Sequence, residues 1–275
     1  MVAASTAPRS ARCVSLSLEA RRILLALVGL LALAVTRADE PLYVELQGGP
    51  FVSALAGPQG RPETPDIAAF DLRAWPVSES EMANFLRHHR RWRRDRVSPL
   101  LASPPYLSAW PQADRAPADG AKQRSVTEVS WFAARAYCAS EHARLPTWFE
   151  WEYAAAASRD QQDARMDAAH LQRILARTTG RIATRAQMHT TVQGIHGLYD
   201  GLWKWLDDQA ALFPAADTRA PETGSNLSLC GGAALAFYRR QDYALILRAS
   251  ALQSRDLRQG DRLITFRCVR PRSTP

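Results

Sequence analysis

Lysine is almost absent from this chain: of 35 basic residues all but Lys122 and Lys204 are arginine. Cysteine is sparse as well. Cys13, Cys138, Cys230 and Cys268 are the whole supply, and no two stand in a CxxC or CxxCH spacing. That excludes a zinc ribbon, a thioredoxin-type dithiol and a haem attached through such a motif. The six histidines (His88, His89, His142, His170, His189 and His196) show no HxxxH spacing, so any metal site has to be assembled from residues distant in sequence. Internal repeats are missing too, which excludes a solenoid or a propeller. The longest apolar run, Ile23 to Val35, has 13 residues; at 1.5 Å each it spans roughly 20 Å, short of the ~30 Å hydrocarbon core of a bilayer.

What is present reads as a packed domain. Hydrophobic residues make up 47% of the 275 and charged residues 23%, values that fit neither disorder nor a fibre. Arg21 and Arg22 precede the apolar run, and Thr36-Arg37-Ala38 follows it with small residues before Asp39-Glu40. This is the layout of a secretory signal peptide, and the Arg pair before Ile23-Leu24-Leu25 resembles a twin-arginine signal. The expectation is therefore a leader over residues 1–38, a single domain over residues 39–275, and a membrane contact made only through the leader during export. The formal charge is +8, of which residues 1–38 supply five Arg against Glu19, leaving a mildly basic +4 for the domain. Export and the arginine-rich composition together point to a periplasm. Removing the leader removes Cys13 and leaves an odd number of cysteines for an oxidising compartment.

Alternation from Leu42 to Leu55 predicts a strand entering a turn at Gly48-Gly49-Pro50. Ser78 is an expected N-cap for an amphipathic helix carrying Met82, Phe85, Leu86, His89 and Trp92 and ending near Arg96. Five prolines from Pro99 to Pro117 predict irregular chain. Helices are expected from Ser130 to about Glu141, from Thr147 through Ala157, and from about Asp160 to Arg177. At the second of these, Thr147 and Glu150 have the spacing of a capping box. The C-terminal third reads as short strands between polar turns, giving an α+β class with much irregular structure.

The run Val129-Ser130-Trp131-Phe132-Ala133-Ala134-Arg135-Ala136-Tyr137-Cys138, then Ala143-Arg144-Leu145-Pro146-Thr147 and Glu150-Trp151-Glu152-Tyr153-Ala154-Ala155, resembles the signature of the formylglycine-generating enzyme (sulfatase-modifying factor) family. Gly49-Pro50-Phe51, Pro76-Val77-Ser78 with Phe85, and Thr265-Phe266-Arg267-Cys268 resemble further blocks of it in the right order. The resemblance implies a C-type-lectin-like fold and a family that holds copper-dependent sulfatase activators, iron-dependent sulfoxide synthases and non-catalytic relatives. The motif itself reads as core: Trp131, Tyr137, Trp148, Trp151 and Tyr153 recur at helical spacing, and Arg144 stands within reach of Glu150 or Glu152.

Where such enzymes keep their chemistry, this chain departs. The family block GLYDMxGNVWEW can be laid on Gly194 to Trp205, which puts Gly201 and Lys204 where an Asn and a Glu help hold calcium; a rival register takes Gly197-Leu198-Tyr199-Asp200 literally and deletes three residues before Trp203. Either register puts calcium in doubt, with Asp207 and Asp208 as leftover carboxylates. The double-glycine turn, Gly231-Gly232, is followed by no cysteine from Ala233 to Arg248, and Ala236 and Gln241 stand where the copper-binding pair belongs. Formylglycine-generating oxidase activity is therefore not expected.

Cys230, directly before that turn, is the remaining candidate for both catalysis and metal. It is read as a copper ligand with His196 or Met188, as a mixed-disulfide partner, as half of a disulfide to Cys268, or as an inert thiol, whereas Cys138 is read as packing. The arrangement resembles a periplasmic branch that accompanies copper nitrite reductases. Three functions stay open: an accessory factor for a periplasmic copper enzyme, an oxidoreductase using Cys230 with His196, and a lectin-like binding module. The basic run His88-His89-Arg90-Arg91-Trp92-Arg93-Arg94 reads as a solvated helix face or a surface for an acidic protein partner, and no nucleic-acid partner is expected of an exported protein.

Overall fold

Side-chain caps decide where the helices begin, and each was legible as a polar residue ahead of an apolar run. In the computed structural model, which describes residues 41–56, 61–117, 121–179, 181–208, 239, 242–253 and 255–272, Ser78 and Thr147 both close capping boxes with the Glu three residues on. Ser130 caps the intervening helix through the Ala133 N–H. The caps open α1 (Glu79–His88), α2 (Trp131–Ser140) and α3 (Trp148–Ala155); α4 (Ala168–Thr179) and α5 (Tyr243–Gln253) follow.

The strands are short: β1 (Tyr43–Leu46), β2 (Gly49–Pro50), β3 (Asp66–Ile67), β4 (Phe70–Arg73), β5 (Trp203–Lys204), β6 (Ile264–Thr265) and β7 (Val269–Pro271). β4 lies between β1 and β7 and pairs antiparallel with both, so the first and last strands share one sheet. β5 pairs parallel with β6. The result is the expected α+β class with long irregular connections.

Three elements depart from expectation. α1 stops at His88, because His89 leaves helical backbone (φ −118, ψ 64). The next residues make a 3-10 turn that sends Trp92 into the core at 7% exposure, with its carbonyl accepting from the Tyr106 hydroxyl at 2.8 Å. Burial of the indole outweighs the periodicity that would have carried the helix to Arg96. α4 begins at Ala168, not near Asp160, since Asp167 is the side chain that accepts the first free N–H groups, from Ala169 at 2.8 Å and His170 at 3.2 Å. α5 was read as strand pieces. Its sequence is apolar nearly all round, with Arg248 as its one charge, so no amphipathic period marks it.

The core gathers around the motif aromatics, with Trp148, Trp151 and Trp205 each 1% exposed or less. Arg144 pairs with Glu150, at 2.5 and 2.7 Å, and not with Glu152. Glu152 is buried and saturated: Ser53 Oγ donates to it at 2.5 Å, the Ala54 N–H at 2.6 Å and Trp148 Nε1 at 2.9 Å. It thereby fastens the loop after β2 to α3.

Cys138 is not mere packing. It forms a disulfide with Cys268, Cα atoms 5.4 Å apart, which also overturns the pairing of Cys230 with Cys268. The mutual backbone hydrogen bonds of Arg144 and Val269, 2.9 and 2.7 Å, hold β7 beside the end of α2 and bring the two sulfurs within reach.

Candidate functional site

The residues expected to carry chemistry fall in three places. Cys230, Gly231, Gly232, Ala236 and Gln241 lie outside the described residues. His196 and Met188 sit together at the edge of the domain, and the block from Gly194 to Trp205 forms a loop leading into β5.

His196 is built into a stack. Its ring lies flat on Trp75, centroids 3.6 Å apart and planes 6° off parallel, and the Arg185 guanidinium covers the same indole at 3.9 Å. Nδ1 is 2.8 Å from the Thr190 hydroxyl. Met188 lies against the next residue: a Cβ placed on Gly197 would come within 2.7 Å of its sulfur. His196 and Met188 are thus neighbours, but among the described residues no group of three His, Cys, Asp or Glu side chains converges as a metal site. A copper site here would need Cys230 to complete it, because a thioether and an imidazole alone make an incomplete set for Cu(I).

The residues present do not fit calcium. In the Gly194–Trp205 loop the Lys204 ammonium donates to Asp200 Oδ1 and, at 2.8 Å, to the Leu202 carbonyl. Both charged side chains are fully buried. Gly201 offers no side-chain oxygen, and the Lys204 cation already holds Asp200 Oδ1 and the Leu202 carbonyl. Burial, the largest influence, pushes the Lys204 ammonium down to about 8, against the pull of Asp200. Asp207 and Asp208 are occupied elsewhere: Asp207 faces Arg135 at 3.4 Å, and Asp208 accepts the Trp148 N–H at 3.0 and 3.1 Å, reinforcing the start of α3.

A cleft of about 150 Å³ opens between α3, α4 and the start of α5. Ile174, Leu171 and Leu245 give it an apolar wall, and Arg165, His170 and Asp242 supply polar groups. His170 is 1% exposed, and neither ring nitrogen finds a partner among the described residues. Burial and the neighbouring Arg173 lower its affinity for a proton, so a neutral imidazole with one donor and one acceptor faces this space. Burial likewise raises the Asp242 carboxyl. Arg165 is anchored by Asp163 at 2.6 Å and lies over Phe51 at 4.2 Å. The sequence offered no signal for this cleft. Its residues come from separate elements, and one wall is α5, the helix that went unread.

The Sulfatase-modifying factor enzyme 1-like domain model matches residues 31–272. Two curated relatives are each named "Inactive C-alpha-formylglycine-generating enzyme 2". The one from Mus musculus is 31% identical over 163 residues, 48% of this chain and 53% of its own length. The one from Bos taurus is 29% identical over 144 residues, 41% of this chain and 48% of its own length. The chain spans about half the length of these relatives.

Proposed function

The chain belongs to the sulfatase-modifying factor family, whose fold is C-type-lectin-like, and from that premise we propose that it is a member without the paired-cysteine oxidase, exported to a periplasm as an accessory factor for a copper enzyme such as nitrite reductase. One observation supports this above others: no cysteine stands between the Gly231-Gly232 turn and Cys268, and Cys268 is bonded to Cys138. Two thiolates cannot be gathered for Cu(I) after that turn, so the chemistry of the sulfatase activators has no nucleophile to run on. The relatives named inactive are in keeping with this.

In this reading Cys230 is a single soft ligand, with His196 and Met188 as its partners, and copper is delivered and not consumed. Arg87, His88, His89, Arg90 and Arg91 form an exposed basic face suited to an acidic partner protein. The experiment is an anaerobic Cu(I) competition titration on the protein with its Cys138–Cys268 bridge intact, beside Cys230→Ala, and an aldehyde assay on a cysteine peptide substrate. The expected result is no aldehyde and copper binding near or below nanomolar, roughly −12 kcal/mol, lost with Cys230→Ala. Aldehyde formation rejects the loss of the oxidase, and copper binding that is absent or indifferent to Cys230 rejects the copper role.

The cleft beside His170 favours a second reading, a binding module for a small and mainly apolar molecule. A buried neutral imidazole at the edge of an apolar pocket is the kind of polar group that orients a ligand.

A further inference from the structure

The loop before β5 is wrapped around one ammonium. Gly197 and Gly201 take left-handed backbone, φ +65 and +81, and so bend the chain back at both ends of Leu198–Asp200. At Gly197 a Cβ would come within 3.0 Å of Asp200 Oδ2. The turn aims the Asp200 carboxylate inward, where Oδ1 accepts from the Leu202 N–H at 3.1 Å and from Lys204 Nζ. The same Nζ gathers the Leu202 carbonyl. A side-chain carboxylate and a backbone carbonyl drawn together in a dry loop are the kind of donors a divalent ion collects. Here a covalently attached cation collects them.

The surroundings exclude a second cation. Arg267 is fully buried and donates to the His196 and Gly197 carbonyls at 2.6 and 3.3 Å. Arg248 is 2% exposed, donates to the Lys204 carbonyl at 2.8 Å and lies over Trp151 at 3.7 Å. Asp200 is the one carboxylate among the charged groups that act on Lys204; the others are these two arginines. A metal ion at this place would meet three fixed positive charges in a low-dielectric setting.

We propose that Lys204 is the permanent cation of this loop, doing for Asp200 and Leu202 what a bound divalent ion would do, so that this domain folds and holds its loop without calcium. The consequence reaches the candidate site. The loop begins at the residues that carry His196, so the Trp75–His196 stack is set by an internal salt bridge and not by the calcium supply.

The test is thermal unfolding of the whole protein in millimolar calcium chloride and in chelator, with elemental analysis for bound calcium. The parent is expected to be calcium-free and to unfold within about 1 °C under the two conditions, since only a ligand of the native state shifts the midpoint. Lys204→Met, which strands the Asp200 carboxylate, is expected to unfold at least about 5 °C lower in either condition. Lys204→Glu restores an oxygen donor and is expected to recover part of its loss in calcium alone. Calcium found in the parent, a calcium-dependent rise in its midpoint of more than about 3 °C, or a Lys204→Met midpoint equal to the parent's overturns the proposal. If Lys204→Glu does not fold, the parent and Lys204→Met still decide.

Discussion

Arg73 and Lys204 are both buried cations, but their surroundings treat charge in opposite ways. Arg73, at 1% exposure, is held by two carboxylates, Glu81 and Glu141, the latter at 2.5 Å, and by the Tyr137 hydroxyl at 3.1 Å. Burial works against its charge, yet Tyr137, Glu81 and Glu141 outweigh it and hold the guanidinium above its ordinary range. On the loop side, Lys204 alone pairs with Asp200, while Arg248 and Arg267 donate to backbone carbonyls and feel carboxylates only at a distance. Burial dominates there, bringing Lys204 to about 8, Arg248 to about 9 and Arg267 to about 10. The first cluster is a neutralised strut across β4, α1 and the end of α2. The second is a surplus of charge tolerated in order to shape a loop, and only its Asp200–Lys204 pair is mutually dependent.

The comparison can be broken at its strongest point first. The Cys138–Cys268 bridge lies beside the Arg73 strut, with the Arg73 N–H donating to the Cys268 carbonyl at 3.0 Å, and it joins residues 130 apart. Replacing both cysteines with alanine is expected to cost about 4–5 kcal/mol on the chain-entropy estimate, read as a drop in the urea midpoint with unchanged behaviour of the loop-side variants. Next, Arg73→Met is expected to cost about 3–4 kcal/mol, because it leaves Glu81 and Glu141 facing each other, whereas Arg248→Met leaves only a carbonyl wanting a donor and is expected to cost about 1 kcal/mol. Equal losses in denaturant melts would erase the distinction between the two clusters.

One expected effect is a gain. Burial raises the Asp208 carboxyl from 3.8 to about 6 in the folded protein. A carboxyl raised above its unfolded value binds its proton more tightly in the native state, so its contribution to stability falls as pH rises from about 4 to 6. Asp208→Asn keeps an acceptor for the Trp148 N–H and drops the charge. It is expected to gain about 1–2 kcal/mol at neutral pH and to flatten the stability profile between pH 4 and 6. A variant less stable than the parent at neutral pH would mean that the carboxylate is needed as an anion, facing Arg144 and Arg248.

Much of the Arg73 side was legible, because it rests on local signals. Ser78, Ser130 and Thr147 announce helices in any context, and the aromatic residues of two successive helices, Trp131 and Tyr137 on α2 and Trp148 and Trp151 on α3, mark what is buried. Even there the disulfide was misread, since Cys138 looks like a small apolar residue until β7 comes to lie beside it. The loop side was poorly legible. That Lys204 replaces an acid could be read, but that it turns inward to Asp200 depends on two left-handed glycines and on α5, whose all-round apolar sequence hides its period. The cleft beside His170 needs α3, α4 and α5 together, and no spacing rule links residues from separate elements. The sequence marks His196 as a chemical residue but not its setting, the stack on Trp75 and the Thr190 hydroxyl beside Nδ1, contacts that only the folded chain creates.

The pairing of the first strand with the last through β4 sets an order of events. A ribosome delivers Tyr43 long before Val269, and until residues 268–271 have been made β4 lacks its second neighbour and Cys138 lacks its disulfide partner. Completion of the sheet therefore waits on a segment nearly two hundred residues after β4, and a chain without residues 264–275 would lack β7, Cys268 and Arg267 at once. Such an architecture makes closure conditional on its most distant contacts, which form late and slowly.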